Sequence, residues 1–185
     1  LYEKTLNDAI ADHPAHRAQH LWRIEKGRLL MKQGRIDEAL ASFDTVPPTS
    51  NRAPDAVFLA INGLGDWMTS TDIGDQRRYA ERIIERMAPS VGVIVDFIRN
   101  PPADPARVRV IQEYGALMGM TIAKAQLMVG NYSAALSAAN DAMGMAQGLE
   151  EKQILIDAPA TAVKVSALVK LGRAEEAAQH ADLLA

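Results

Sequence analysis

The stretch from Gly27 to Val46, GRLLMKQGRIDEALASFDTV, constrains the fold more than any other part of the chain. It reads as a helix, a turn and a second helix. Gly34 follows Leu29, Leu30 and Met31, where the first helix must stop and the chain must reverse. Glycine takes the left-handed conformation just past a helix end at little cost. Asp37 and Glu38 then fall in the first turn of the next helix, where carboxylates suit the positive end of its dipole. Ala39 and Phe43 lie four residues apart on one face of that helix, a small side chain beside a large one. The alanine lets the two helices approach and the phenylalanine fills the space beyond. Gly27, seven residues before the turn, permits the same approach on the first helix.

The same offsets return. Gly130, Tyr132, Ala135, Ala139 and Ala142 repeat the positions of Gly34, Ile36, Ala39, Phe43 and Val46, and so do Gly172, Ala174, Ala177, Ala181 and Leu184. Gly130 and Gly172 are 42 residues apart, and Gly34 and Gly130 are 96 apart, enough for one degenerate unit between them. That unit is expected over 54–88, with Ala80, Ile84 and Met87 in the places of Ala39, Phe43 and Val46; the clearer units are 14–46, 105–146 and 158–185. Internal repetition on this scale predicts an all-α solenoid of stacked helix pairs.

In these windows the chain resembles the tetratricopeptide repeat family. The first window carries that family's glycine, turn and Ala-x3-Phe core; the others keep the glycine and alanine positions but have alanine where the large aromatic stands. Lys26 replaces the usual leucine before Gly27, Pro47 and Pro48 come early for the closing proline, and the spacing exceeds the family's 34 residues. Longer units are similar to the extended repeats of some bacterial regulators and motor light chains. The resemblance implies one right-handed α-solenoid of antiparallel helix pairs over 1–185. It also implies a concave face lined by the first helix of each unit, holding a peptide or protein segment without catalysis. Counted back from each turn glycine, that face comprises Ile24, Arg28 and Met31; Met120, Lys124 and Leu127; and Ala162, Ser166 and Val169. Such a surface, apolar with basic points at Arg28 and Lys124, suits an acidic or amphipathic peptide. The clamp with which some family members grip a C-terminal carboxylate is not carried over, because Ile24 and Arg28 occupy its lysine and asparagine offsets.

Composition agrees with close-packed helices. Apolar residues make up 48% of the chain and aromatics only 5%, which favours a core of Ala, Leu, Ile, Val and Met over a β-sandwich. A net charge of −3 gives no general attraction to nucleic acid or anionic membrane. With no cysteine there is neither a disulfide framework nor a thiolate metal site. The most apolar run, Val110 to Gly130, is broken by Gln112, Glu113, Lys124 and Gln126, so it reads as a buried helix and not a membrane span. The cytoplasm is the expected compartment, with a periplasmic location left open. Starting at Leu1, the chain reads as part of something longer.

Helices are expected near 1–12, 14–33, 36–46, 54–69, 74–88, 90–99, 105–129, 132–147, 150–156 and 158–171, with a last one from 173. Asp104 before Pro105 is an N-cap with proline at the first helical position, and Asp157 ahead of Pro159 reads the same way. Val91 to Phe97 would make a strand elsewhere, but with nothing to pair with it is expected to be helical.

Other constellations carry plainer readings. His13, His16 and His20 include a pair one helical turn apart that can hold a metal if a third ligand arrives, but a solvated helix start is the commoner use. Arg77, Arg78, Arg82 and Arg86 form either a phosphate-binding ridge or, with Glu81 and Glu85, a charged solvent face. Gly115 and Gly119 allow a neighbouring helix to pack closely. Gly63 and Gly65 begin a dinucleotide-like pattern, but Met68 stands where its third glycine belongs. Asn131-Tyr132-Ser133 matches a glycosylation triplet within the repeat turn. Five of the eight methionines fall between Met118 and Met145, as core filling or a versatile contact surface. No catalytic motif and no cofactor site is expected. The functional expectation is a protein-interaction module, the alternatives being a sensor or spacer domain of a larger regulator and an oligomerisation module. The apolar end at Leu183 and Leu184 is expected to be covered by further repeats or a second copy, giving a homodimer.

Overall fold

The computed structural model of the chain describes residues 1–181, and of 150–154 the backbone only. Among these residues there are nine helices and no strand: α1 Tyr2–Asp12, α2 Gln19–Lys32, α3 Ile36–Asp44, α4 Ala53–Ser70, α5 Ile73–Arg99, α6 Pro105–Val129, α7 Tyr132–Ala146, α8 Glu150–Lys170 and α9 Ala174–Ala181. The apolar end at Leu183 and Leu184, with Leu184 as a repeat position, lies outside the described residues.

The three glycine turns are built alike, bond for bond. Gly34, Gly130 and Gly172 have φ of +76°, +90° and +74°. In each, the residue after the glycine donates its amide to the carbonyl five back: Arg35 to Leu30, Asn131 to Gln126 and Arg173 to Leu168, at 3.0, 2.9 and 2.9 Å. That bond satisfies a carbonyl the helix end would otherwise strand. The next helix then opens with the same bond each time, from Ala39, Ala135 and Ala177 to the carbonyls of Arg35, Asn131 and Arg173. These three alanines are all buried. Beyond the ordinary contact of Tyr132 Oη at 3.8 Å, a methyl at Gly130 meets little, so only backbone strain opposes it. Gly130→Ala is therefore expected to cost about 1 kcal/mol. The same change at Gly144, helical and with open space around it, is expected to stabilise by about 0.5–1 kcal/mol. Urea denaturation of the two variants checks the opposite signs.

Packing links the helices in order. Alternate helices touch in series: α2 meets α4, α4 meets α6 and α6 meets α8, while α1 lies on α2. Side chains join α3 to α5, where Arg82 pairs with Asp37 and Arg86 with Asp44. A mixed core of Leu30, Phe43, Ile61, Leu64, Ile83, Ile111 and their neighbours fills the α2–α6 part. Alanine dominates between α6, α7 and α8, through Ala116, Ala123, Ala135, Ala139, Ala142, Ala146, Ala160 and Ala167. Gly115 and Gly119 belong to this close packing, since a methyl at either would press on Met145 or Ala142.

Several boundaries differ from expectation. Residues 74–88 and 90–99 form one helix, α5, which runs through Pro89, and 150–156 and 158–171 likewise join as α8 through Pro159. Proline deprives the carbonyl four residues earlier of its partner. Those residues, Glu85 and Leu155, are exposed, so water can take the bond, while Ser90, Ile94, Ile156 and Ala160 beside the prolines are buried. Asp157 is thus mid-helix and caps nothing, whereas Asp104 does cap α6 by accepting from the Ala106 amide at 3.0 Å. Helix α2 starts at Gln19 and not at residue 14, because the amides of His16 and Gln19 bond to carbonyls three back and His16 Nδ1 accepts from the Ala18 amide. Helix α3 ends two residues early, at Asp44, just before Pro47. Val91 to Phe97 is helical.

Candidate protein-binding groove

A cavity of about 520 Å³ opens along the faces of α2, α4, α6 and α8. Each helix contributes a stripe at helical spacing. Arg28, Met31 and Lys32 come from α2; Asn62, Asp66 and Thr69 from α4; Leu117, Met120, Thr121 and Lys124 from α6; Leu155 and Pro159 from α8. Met31 and Met120 are mostly buried and make part of the floor, whereas Leu155 is 60% exposed at the rim. Thr121 Oγ1 donates to Asn62 Oδ1 at 2.7 Å, fastening α6 to α4 across that floor. Gly65 permits the contact, since a methyl there would stand 2.6 Å from Thr121 Cγ2.

Charge is uneven around the cavity. Arg28, Lys32 and Lys124 face it with Asp66 as the acid among its lining residues. Arg28 pairs with Glu25 at 3.0 Å, while Lys32 and Lys124 are exposed with no ion pair among the described residues. A second cavity of about 340 Å³ shares Arg28 and Leu59 with the first and continues along α2, α4 and α6 past Leu21, Ile24 and Tyr114.

Behind this second cavity a clamp fixes α6 to α4. Arg107 donates to both oxygens of Asp55, at 3.0 and 2.7 Å, and to the Asn51 carbonyl. Tyr114 donates its hydroxyl to Asp55 at 3.1 Å, and its ring stacks on Phe58 with centroids 4.0 Å apart. Burial, reinforced by the Asp55 charge and hydrogen bond, holds the Tyr114 hydroxyl above the ordinary phenol range. Burial works against the Arg107 cation, but Asp55 outweighs it and the guanidinium is held more firmly charged than usual.

Of the residues expected on the concave face, Arg28, Met31, Met120 and Lys124 meet at the larger cavity. Ile24 is buried and lines the second one. Leu127 is half-buried against the alanine core, and Ser166 is exposed on α8 outside the groove. Leu155, Pro159, Ala162 and Ser166 share one helix face, yet only the first two reach the cavity. The α4 stripe Asn62, Asp66 and Thr69 was not anticipated. Its signal was present: three polar residues at i, i+4 and i+7 on an otherwise apolar segment.

The remaining constellations resolve locally. His16 stacks on Trp22 with centroids 4.9 Å apart, and His20 Nδ1 lies 2.7 Å from Ser50 Oγ, so the two rings serve different contacts. No group of three potential metal ligands occurs among the described residues. Arg82 and Arg86 are engaged by α3 carboxylates and Arg77 by Glu81, so three of the four arginines in the row stand in ion pairs. Gly63 and Gly65 sit inside α4, so no dinucleotide loop exists there. No helix among the described residues is long and apolar enough to cross a membrane. Compared with known proteins, the chain matches no family model and no curated protein.

Proposed function

We propose that the chain is a tetratricopeptide-like, right-handed α-solenoid. It acts as a non-enzymatic protein-interaction module, taking an acidic amphipathic segment of a partner into the groove on α2, α4, α6 and α8. The identical closure of three turns supports the repeat reading, as does the serial contact of alternate helices. One observation carries the functional reading: an apolar groove with Arg28 and two lysines that have no ion pair among the described residues, set against Asp66. Apolar side chains of the partner fill the methionine and leucine floor, and its carboxylates take charge-assisted hydrogen bonds from the rim.

The test is fluorescence anisotropy with a labelled peptide of alanine, leucine and glutamate, and its lysine-for-glutamate counterpart as control. The glutamate peptide is expected to bind and the lysine peptide not. Arg28→Glu with Lys124→Glu should weaken binding by about ten- to a hundredfold. Both side chains are exposed, so the melting temperature should hold. Unchanged binding by the double variant would place the ligand elsewhere.

A further inference from the structure

We propose that Glu25 and Arg28 divide the groove into two lobes of different charge preference, so that a bound segment must carry its acid in one half only. This inference rests on the peptide-binding reading above. The lobes are the cavities of about 520 and 340 Å³, which meet at Arg28 and Leu59. In the first, Lys32 and Lys124 lack carboxylate partners among the described residues, so a ligand carboxylate finds unused cations there. In the second, each cation already has a carboxylate beside it. Arg28 is held by Glu25, at 3.0 and 3.4 Å to its two oxygens, and Arg52 faces Asp55 at 3.6 Å.

Asp55 is shared by Arg52, Arg107 and Tyr114, and Glu25, with its side chain 32% exposed, keeps Arg28 from an entering carboxylate. The walls of this lobe, Leu21, Ile24, Leu59 and Tyr114, offer apolar contact instead. The occupant is therefore a segment of a protein partner with an acidic half seated by Lys32 and Lys124 and an apolar half seated by Leu21 and Leu59. Glu25 acts by competition: it occupies Arg28, so a second acidic half of the ligand finds no unused partner there. It is a specificity-determining residue, and its contact with Arg28 is an exposed pair whose removal leaves the fold intact.

Two labelled peptides of equal composition test this by anisotropy, one with its glutamates confined to one half and one with them spread over both. The unaltered chain is expected to favour the first by about three- to tenfold. Glu25→Gln should bring that ratio toward unity by tightening the second peptide, with the melting temperature unchanged. Equal affinities in the unaltered chain overturn the inference. So does a ratio untouched by Glu25→Gln, and if Lys124→Glu still weakens both peptides, the groove itself stands. If neither peptide binds, or binding ignores Lys124→Glu, the peptide-binding reading falls and the two-lobe inference with it.

Discussion

Phe43→Ala is expected to destabilise the chain by about 3–5 kcal/mol, lowering the melting temperature by about 10 °C. The ring is 3% exposed and fills the space between α2 and α3 that Gly27 leaves open. Removing it leaves a cavity that two helices pinned by the Gly34 turn cannot easily close. Gly27 itself gives the sharper test. A methyl there would stand 2.5 Å from Phe43 Cε1 and within 2.8 Å of two further ring carbons. Alanine is the better helix former by about 1 kcal/mol, but overpacking a rigid ring costs about 1–3 kcal/mol, so Gly27→Ala should be a net loss. In the Phe43→Ala background the clash is gone and the same substitution should turn neutral or favourable. That reversal of sign, measured as a double-mutant cycle by urea denaturation, isolates the contact between the two residues. If Gly27→Ala stabilises both backgrounds, the close approach of α2 and α3 is not what Gly27 provides.

What the sequence could convey divides along one physical line. Features set within a few residues were legible. A glycine forced to positive φ, carboxylates in a first turn and an alanine five residues past the turn each act locally, and the structure places Gly34, Gly130 and Gly172 in matching closures. Asp104 with Pro105 is another local signal that held. The prolines misled because their effect depends on what surrounds them. Pro89 and Pro159 would end an isolated helix, yet burial on the opposite face carries α5 and α8 through both.

Groove membership is less local still. Arg28, Met31, Met120 and Lys124 follow from repeat offsets because α2 and α6 each end at a glycine turn. Helix α4 ends instead at Ser70, capped by Thr71 with extended backbone in place of a glycine, so it offered no register from which to count Asn62, Asp66 and Thr69. Ser166 shares a helix face with Leu155 and Pro159 and still misses the cavity, which meets α8 nearer the start of that helix. Electrostatic partners were equally hidden. Nothing within Arg82 or Arg86 announces Asp37 and Asp44, which are 45 and 42 residues away.

The Asp55 clamp carries the other large expectation. Asp55→Ala strips Arg107 of two charge-assisted hydrogen bonds and Tyr114 of its acceptor, in a site where Asp55 and Arg107 side chains are only 13% and 21% exposed. A half-buried cation without its partner should cost about 2–4 kcal/mol. The loss is expected to come from the orphaned charge more than from the missing attraction. The variant Asp55→Leu/Arg107→Met/Tyr114→Phe, apolar throughout, should therefore recover most of the stability that Asp55→Ala loses. A triple variant no better than the single one would mean that the ion pair contributes net stability of its own. Tyr114 adds a pH signature. Its hydroxyl keeps its proton longer in the folded chain than in the unfolded one. The Tyr114 contribution is thus fully present below the unfolded phenol pKa of about 10 and is lost as pH rises beyond it. Tyr114→Phe should flatten that alkaline decline, and Asp55→Ala should reduce it, since one of its causes is gone. The clamp also holds α4 to α6 two turns from the Asn62–Thr121 bond.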